Sequence, residues 1–332
     1  MSAPLLEVDG LRVRFGTGTE AVRGISLAVA RGETHCLVGE SGCGKSVTSL
    51  AVMGLLARGG VRTADGLRFE GQDIAGLSER DMGRLRGAAM AMIFQEPMTS
   101  LNPAYTVGSQ MAEVFVRHRG GSKAAALERA AFLLGKVGIT APGMRLAQYP
   151  HQLSGGLRQR VMIAMALMCE PRLLIADEPT TALDVTVQAQ ILRLLLALQS
   201  ELGLGILLIT HDLGIVARMA HRVSVMYAGR VVESGPAAAV FGAPTHPYTH
   251  GLLACVPVPG KVKRGDPLGS IPGTVPKIGP GFQGCAFRER CAQAMPVCAT
   301  GEVAQHERAA GHGYACHLPA DWVARKGAEV AA

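Results

Sequence analysis

The sequence predicts an α/β protein built on a mainly parallel sheet, with an inserted helical subdomain and a C-terminal extension. Two observations support this prediction. Short apolar segments typical of buried strands alternate with helix-forming segments before residue 240. Beyond Pro244, proline and glycine become frequent and the regular apolar spacing is lost. We therefore expect a main domain over residues 1–240 and an extension over residues 241–332.

The individual elements follow from the apolar pattern in chain order. Strands are predicted at Leu5–Arg14, Ile25–Ala30, Thr34–Val38, Ala89–Phe94, Leu173–Ala176, Gly205–Ile209, Val223–Tyr227 and Arg230–Glu233. Helices are predicted at Ser46–Leu56, Asp81–Arg86, Val107–Arg117, Ala124–Val137, Leu157–Met168 and Val187–Glu201. Because the pattern between Pro97 and Pro150 is helical throughout, we place the inserted helical subdomain at about residues 97–160.

Composition restricts the class of protein. The chain has 332 residues, of which 48% are hydrophobic, and a formal net charge of +7. The apolar runs are much shorter than the roughly 20 residues of a membrane span, and the first residues lack the pattern of a secretory signal, so we expect a cytoplasmic protein. The positive charge favours anionic partners. The basic residues are dispersed, however, which favours a solvated basic surface over a nucleic-acid site.

A phosphate-binding loop is predicted between the strand Thr34–Val38 and the helix that follows. The segment Gly39-Glu40-Ser41-Gly42-Cys43-Gly44-Lys45-Ser46 matches the pattern G-x-x-x-x-G-K-[ST]. In such a loop, backbone N–H groups and the helix N-terminus surround phosphate oxygens. Lys45 would bind the β- and γ-phosphates, and Ser46 would bind Mg²⁺. Cys43 is interpreted as a small loop residue rather than a reactive thiol.

Two acidic residues end a predicted buried strand. Asp177 and Glu178 follow Leu173–Ala176, and paired buried carboxylates are costly unless a cation or a water uses them. Asp177 is therefore a candidate Mg²⁺ ligand, and Glu178 is a candidate for polarising the attacking water. Gln95, after another strand, could contact Mg²⁺ and that water, and His211 could hydrogen-bond the γ-phosphate. Taken alone, Gln95 and His211 are weak signals.

A second glycine-rich segment indicates that two chains share the site. Leu153-Ser154-Gly155-Gly156 precedes a predicted helix and lies far from the phosphate-binding loop. One P-loop site has no use for a second anion-binding loop, whereas a site closed between two molecules does. The segment therefore predicts a dimer in which each chain covers the nucleotide of the other.

These motifs together resemble ATP-binding cassette (ABC) ATPases. The resemblance covers about residues 5–240 and rests on Gly39–Ser46, Gln95, Leu153–Gly156, Asp177-Glu178, Ala182-Leu183-Asp184 and His211. It implies ATP hydrolysis with Mg²⁺ held through Ser46, Gln95 and Asp177. It also implies that Ser154 and Gly156 face the partner's nucleotide, that Asp184 acts across the dimer and that Phe15 stacks on adenine.

Other segments resemble the dipeptide/oligopeptide/nickel importer subfamily. They are Phe94–Pro103, His246-Pro247-Tyr248-Thr249 with Leu252-Leu253, and Ile271–Pro276. That resemblance implies a subunit on the cytoplasmic face of the plasma membrane, paired with a sister ATPase or with its own copy. Two membrane permease subunits and, indirectly, a solute-binding protein would complete the assembly. Di- or oligopeptides are the expected cargo; nickel, glutathione or another small solute is the alternative. A soluble ABC ATPase acting on nucleic acid is supported only by the positive charge.

Four cysteines crowd the extension. Cys285, Cys291, Cys298 and Cys316 could together hold a metal in a reducing compartment. Their spacing differs from the CxxC pairs of common zinc ribbons. Some members of the peptide importer family carry a [4Fe-4S] cluster in this pattern, so the resemblance implies one here. Zinc and unliganded thiols are the alternatives.

Overall fold

A computed structural model of the chain describes residues 3–16, 18–95, 100–181, 183–256, 269–276, 278–279, 281–301 and 303–322. The chain divides into two compact units. Unit 1 is Met1–Glu7, Ala28–Thr34 and Arg68–Ile209, and unit 2 is Val8–Leu27, His35–Leu67 and Thr210–Ala332. Residues on both sides of position 240 share unit 2, and the boundary predicted at 240/241 stays a prediction.

The main strands of unit 1 differ in how deeply they are buried. They are β6 (Gln72–Asp73), β7 (Met90–Ile93), β8 (Leu173–Asp177) and β9 (Gly205–Thr210), with the end of β5 (Gly66–Phe69). β8 lies between β7 and β9 and is parallel to both, with Leu173 opposite Met90 and Gly205. Every residue of β8 and β9 is buried, as expected for parallel strands covered on both faces. β5 and β6 pair antiparallel.

Most helices of unit 1 begin at side-chain caps, whereas Pro142–Leu146 begins after Ala141 with a proline in its first turn. The helices are α2 (Glu79–Leu85), α3 (Val107–Arg119), α4 (Lys123–Lys136), α5 (Pro142–Leu146), α6 (Gly155–Ala166) and α7 (Val185–Leu202). Thr106 and Ser122 cap α3 and α4 by accepting bonds from Ser109 and Ala125 backbone N–H groups. The predicted helical content between Pro97 and Pro150 is confirmed for the described residues, whereas Glu96–Thr99 lie outside them.

Unit 2 contains most of β1 (Leu6–Phe15), β2 (Thr19–Val29) and β3 (Thr34–Val38), followed by α1 (Lys45–Met53) and β4 (Gly60–Thr63). After Thr210 come α8 (Leu213–Met219), β10 (Arg222–Tyr227), β11 (Arg230–Pro236), α9 (Ala237–Gly242), α10 (Pro247–Ala254), β12 (Gln305–Ala309) and β13 (His312–Ala315). β3 is parallel to β10, and β10, β11, β13 and β12 then pair antiparallel in that order. The extension thus continues a sheet that the main domain begins.

Aromatic side chains join the extension to the rest of unit 2. The rings of Tyr227, Tyr248 and Phe287 lie 4.7–5.3 Å apart, centroid to centroid. The buried Glu233 carboxylate of β11 accepts hydrogen bonds from the backbone N–H groups of Thr245 and His246, at 2.7 and 2.9 Å. The extension is therefore anchored by a few specific contacts, in line with the weak apolar pattern of its sequence.

Candidate active site

The predicted phosphate-binding loop connects β3 to α1, the context that its sequence requires. Gly39, Gly42 and Gly44 have φ angles of 153°, 81° and 106°, which glycine adopts without strain. A Cβ atom at Gly44 would lie 2.4 Å from the Ala21 carbonyl oxygen, so the space also requires glycine. The loop therefore depends on glycine both for its backbone shape and for its close packing.

Lys45 is folded back on the loop. Its Nζ donates to the carbonyl oxygens of Gly39 and Glu40, at 2.8 and 3.1 Å, and the residue is buried. The amine is therefore held where a phosphate could replace the two carbonyls as acceptor. Cys43 is also buried, and burial raises the pKa of its thiol. This favours its interpretation as a small loop residue, because a reactive cysteine needs a thiolate.

At the end of β8, the side chains of Gln95 and Thr181 both lie within hydrogen-bonding distance of the Glu178 carboxylate. Asp177 and Glu178 are buried, and Glu178 has the left-handed φ of 46°, which is uncommon for a residue with a side chain. The Glu178 carboxylate accepts one hydrogen bond from Gln95 Nε2 at 3.2 Å and another from Thr181 Oγ1 at 2.9 Å. Gln95 and Glu178, predicted independently, are thus neighbours, and two neutral donors orient the acid.

The second glycine-rich segment opens helix α6. Ser154 caps the helix by accepting the Leu157 backbone N–H at 3.4 Å, and Ser154 and Gly155 are exposed. Gly156 packs against α7, because a Cβ at this position would lie 2.8 Å from Val187 Cγ1. Asp184 caps α7 by accepting the Val187 backbone N–H at 2.9 Å. The segment and Asp184 are therefore linked through Val187, while Ala182 lies outside the described residues.

A cavity of about 520 Å³ adjoins the phosphate-binding loop in unit 2. The loop contributes Gly39, Glu40 and Ser41, and the exposed His211 lines the same cavity. Segment Gly273–Val275 of the extension forms another part of its wall. Phe15 is half-buried at the end of β1, where it pairs with Gly60. Its predicted stacking on adenine stays a prediction.

Two residues of the extension contact the loop at Glu40. The hydroxyl of Tyr248 accepts the Glu40 backbone N–H at 3.0 Å. The guanidinium of Arg290 donates to both carboxylate oxygens of Glu40, at 2.5 and 2.9 Å. The sequence motifs identified neither Tyr248 nor Arg290 as site residues, and they missed Thr181 as a partner of Glu178. The only available signal was position: Thr181 lies in the stretch directly after the paired acids.

The four cysteines of the extension do not form a recognisable metal site. Among the described residues, no group of three or more His, Cys, Asp or Glu is arranged to hold a metal ion. Burial is the main cause that raises the pKa of Cys285, Cys291 and Cys316, the last to about 11. The predicted [4Fe-4S] cluster is therefore not confirmed, and neither is zinc. The cysteines nevertheless lie near one another, and the Cys285 N–H bonds the Cys298 carbonyl at 2.9 Å.

Comparison with known proteins agrees with this geometry. A family model described as ABC transporter matches residues 22–181, and one described as oligopeptide/dipeptide transporter, C-terminal region, matches residues 232–298. CbiO1 from Clostridium perfringens, described as part of the ABC transporter complex cbiONQ, superposes with a TM-score of 0.64 at 31% identity, covering 73% of this chain and 92% of that one. The dimeric cassette MJ0796, bound to ADP and Pi, gives 0.62 at 25% identity, covering 70% and 98%. The fold and the loop define an ABC ATPase.

Full-length relatives narrow the class. The dipeptide transport ATP-binding protein DppD of Escherichia coli (strain K12) is 52% identical over 320 residues, covering 96% of this chain and 97% of the relative. DppD of Bacillus subtilis (strain 168) is 50% identical, covering 95% and 94%. A putative peptide import ATP-binding protein of Brucella melitensis is 53% identical, covering 89% and 91%. The chain belongs to the family of ABC-type dipeptide and oligopeptide transport ATP-binding proteins.

Proposed function

We propose that this chain is the ATP-hydrolysing subunit that powers import of di- or oligopeptides through a separate membrane permease. The observation that carries the proposal is the Glu178 carboxylate, held by Gln95 and Thr181 at the end of β8. A carboxylate oriented by two neutral donors at the end of a buried strand is placed to act as a general base that polarises a water molecule. The names of the relatives supply the transported class.

The loop supplies the electrostatic part of the reaction. Phosphoryl transfer depends on positioning and on charge stabilisation rather than on covalent chemistry by the protein. Backbone N–H groups of the loop and Lys45 would hold the β- and γ-phosphates, and His211, which lines the adjoining cavity, would bond the γ-phosphate. Mg²⁺ prefers oxygen ligands, and the hydroxyl of Ser46, the amide of Gln95 and the carboxylate of Asp177 offer them. When bound, the ion neutralises phosphate charge.

Pairing with a second cassette follows from the second glycine-rich segment, Leu153–Gly156, here called the signature segment. Ser154 and Gly155 are exposed at the N-terminus of the twelve-residue helix α6, and a helix N-terminus favours an anion. The proposal assigns Ser154 and Gly156 to the nucleotide of the partner, and Asp184 to contact across the dimer. A sister ATPase is the proposed partner, with an identical copy as the alternative.

In this proposal the chain is attached to the membrane through its permease partners. None of the described helices is both long enough and apolar enough to cross a bilayer. We place the chain on the cytoplasmic face of the membrane, against two permease subunits that a solute-binding protein supplies. Nickel, glutathione or another small solute is the alternative cargo. The similarity to the relatives is between ATP-binding subunits, whereas the proposed permease and solute-binding protein would select the cargo.

A metal at the four cysteines has no step in this proposal. The nearness of the thiols supports a cluster, whereas no group of three or more His, Cys, Asp or Glu among the described residues is arranged to hold a metal ion. Anaerobic purification followed by iron and sulfide analysis separates the two cases. Brown protein with stoichiometric iron and sulfide would establish a cluster, and colourless, iron-free protein would exclude it.

The test of the proposed function is Glu178→Gln in the assembled transporter. We expect this variant to bind ATP but to lose at least about 100-fold in turnover, because removing a group that activates water typically costs 10²–10⁴. The matched control is Glu201→Gln, at a surface acid paired with Lys136, which should keep its turnover. Normal steady-state ATPase in Glu178→Gln would contradict the assignment.

A further inference from the structure

Arg290 of the extension is held against the phosphate-binding loop. Its Nη1 and Nη2 donate to the two carboxylate oxygens of Glu40 at 2.5 and 2.9 Å, a bidentate pair. The Arg290 side chain is only 4% exposed, and that of Glu40 is 31% exposed. Bidentate pairs between an arginine and a carboxylate are the strong class of charge-assisted hydrogen bonds. The contact joins residues that are 250 positions apart in the sequence.

The same guanidinium also holds the wall of the cavity. Arg290 Nε donates to the Pro272 carbonyl at 2.7 Å, and Nη2 donates to the Ile271 carbonyl at 3.1 Å. Segment Gly273–Val275, which lines the cavity beside the loop, follows directly. The rings of Tyr227 and Phe287 lie 5.8 and 6.0 Å from the guanidinium carbon. One side chain therefore connects the loop to the cavity wall.

Glu40 needs such a partner for an electrostatic reason. Its carboxylate belongs to the loop that would bind the triphosphate, and two like charges near each other repel. Lys45 lies nearby but donates to the Gly39 and Glu40 carbonyls rather than to the carboxylate. Without Arg290, the loop would present an uncompensated negative charge to an anionic ligand.

We propose that Arg290 is a positioning residue of the nucleotide site, which neutralises Glu40 and fixes the loop against the wall segment Gly273–Val275. The inference rests on the proposed function, because it takes ATP as the ligand of the loop. It adds that the extension of this chain completes the nucleotide site of the same chain. Arg290 touches the loop and not the reacting atoms, so its effect falls on binding.

The test measures binding of a fluorescent ATP analogue, with Mg²⁺, to the purified full-length chain. Arg290→Ala should weaken binding about tenfold, the size expected for losing a charge-assisted hydrogen bond. The matched control is Arg288→Ala, two residues away on the same 3₁₀ turn Arg288–Arg290. Arg288 donates to the carbonyls of Gln283 and Ala299, within the extension. Its variant should bind the analogue like the wild-type chain.

A rescue experiment distinguishes the loss of charge compensation at Glu40 from general damage to the extension. Adding Glu40→Gln to Arg290→Ala removes the uncompensated charge, so binding should return to within about threefold of wild type. A double variant as weak as Arg290→Ala would overturn the proposal. In the assembled transporter, Arg290→Ala should raise the KM for ATP and change kcat less than twofold, whereas an equal fall in kcat would also overturn it.

Arg290→Lys keeps the result decisive if Arg290→Ala does not fold. Lysine retains the charge but cannot form the bidentate pair, so binding should weaken about threefold. Wild-type affinity in every folded Arg290 variant would refute the inference. Failure of the wild-type chain itself to bind the analogue would instead refute the proposed function, so the two failures are distinguishable.

Discussion

Gly156 provides a quantitative test of how the signature segment is built. Replacing it with alanine places a Cβ 2.8 Å from Val187 Cγ1, closer than a Cβ atom normally approaches. The neighbouring Gly155 is the matched control, because its Cβ would lie 3.7 Å from Leu183 Cδ2, an ordinary contact. Both glycines occupy the first turn of α6, so both substitutions gain the same preference of alanine for helix. Their difference therefore isolates the crowding against Val187.

The size of the difference follows from packing. Overpacking a tight contact costs about 1–3 kcal/mol, so the free energy of unfolding of Gly156→Ala should lie about 1–3 kcal/mol below that of Gly155→Ala. Urea denaturation of the full chain measures both values. Val187→Ala removes the two methyl groups that crowd the new Cβ, so a double-mutant cycle should show a favourable coupling of about 1 kcal/mol or more. Equal stability of the two glycine variants, without coupling, would refute the reasoning.

Two further predictions concern buried titratable groups. Burial lowers the pKa of His246 to about 3, while the unfolded histidine titrates near 6.5, so this residue should reduce stability as the pH falls below about 6.5, by up to about 1.4 kcal/mol per unit. The check is the pH dependence of urea unfolding; His246→Asn, which keeps a capping acceptor for the Tyr248 N–H, should flatten it, and an unchanged slope would contradict the prediction. Because burial raises the pKa of the Cys43 thiol, iodoacetamide should label Cys43 at least about tenfold more slowly than the half-buried Cys255. Time-resolved peptide mass spectrometry compares the two rates, and equal rates would argue against the buried thiol.

The sequence predicted the buried parallel strands because they carry a local signal. Leu173–Ala176 is a continuous apolar run that ends at the acid Asp177, and Thr34–Val38 ends in the apolar residues Cys36–Val38 directly before a glycine. The structure places β8 and β3 there. The start of α3 agrees with the predicted helix Val107–Arg117, and the structure adds its cap, Thr106, which accepts the Ser109 backbone N–H. By contrast, β12 is exposed along its whole length. A strand without a buried face has no apolar alternation, so only its pairing with β13 identifies it.

The residues of the candidate site likewise fall into two groups: those that a local sequence motif predicts and those that depend on the folded backbone. The loop glycines, Lys45 and the acids at the end of β8 were predicted from the residues, because each motif combines a backbone requirement with a chemical one over a few positions. The bond between Thr181 and Glu178 was missed although they are only three positions apart, since it depends on the left-handed turn at Glu178. A glutamate gives no sequence signal for that conformation.

The contact between Arg290 and Glu40 could not be predicted from the sequence because it joins two distant segments of the chain. Neither residue carries a local signal of its own. Glu40 occupies a variable position of the loop pattern, and Arg290 precedes Cys291 without belonging to a motif. Phe287 packs against Tyr227 and Tyr248 beside this pair, and this packing holds the 3₁₀ turn of the extension against the loop. Closing so long a segment of chain is an entropic cost that local patterns do not encode. It is offset only if several contacts form together, so the pairing of Arg290 with Glu40 depends on the aromatic cluster as well as on the two charges.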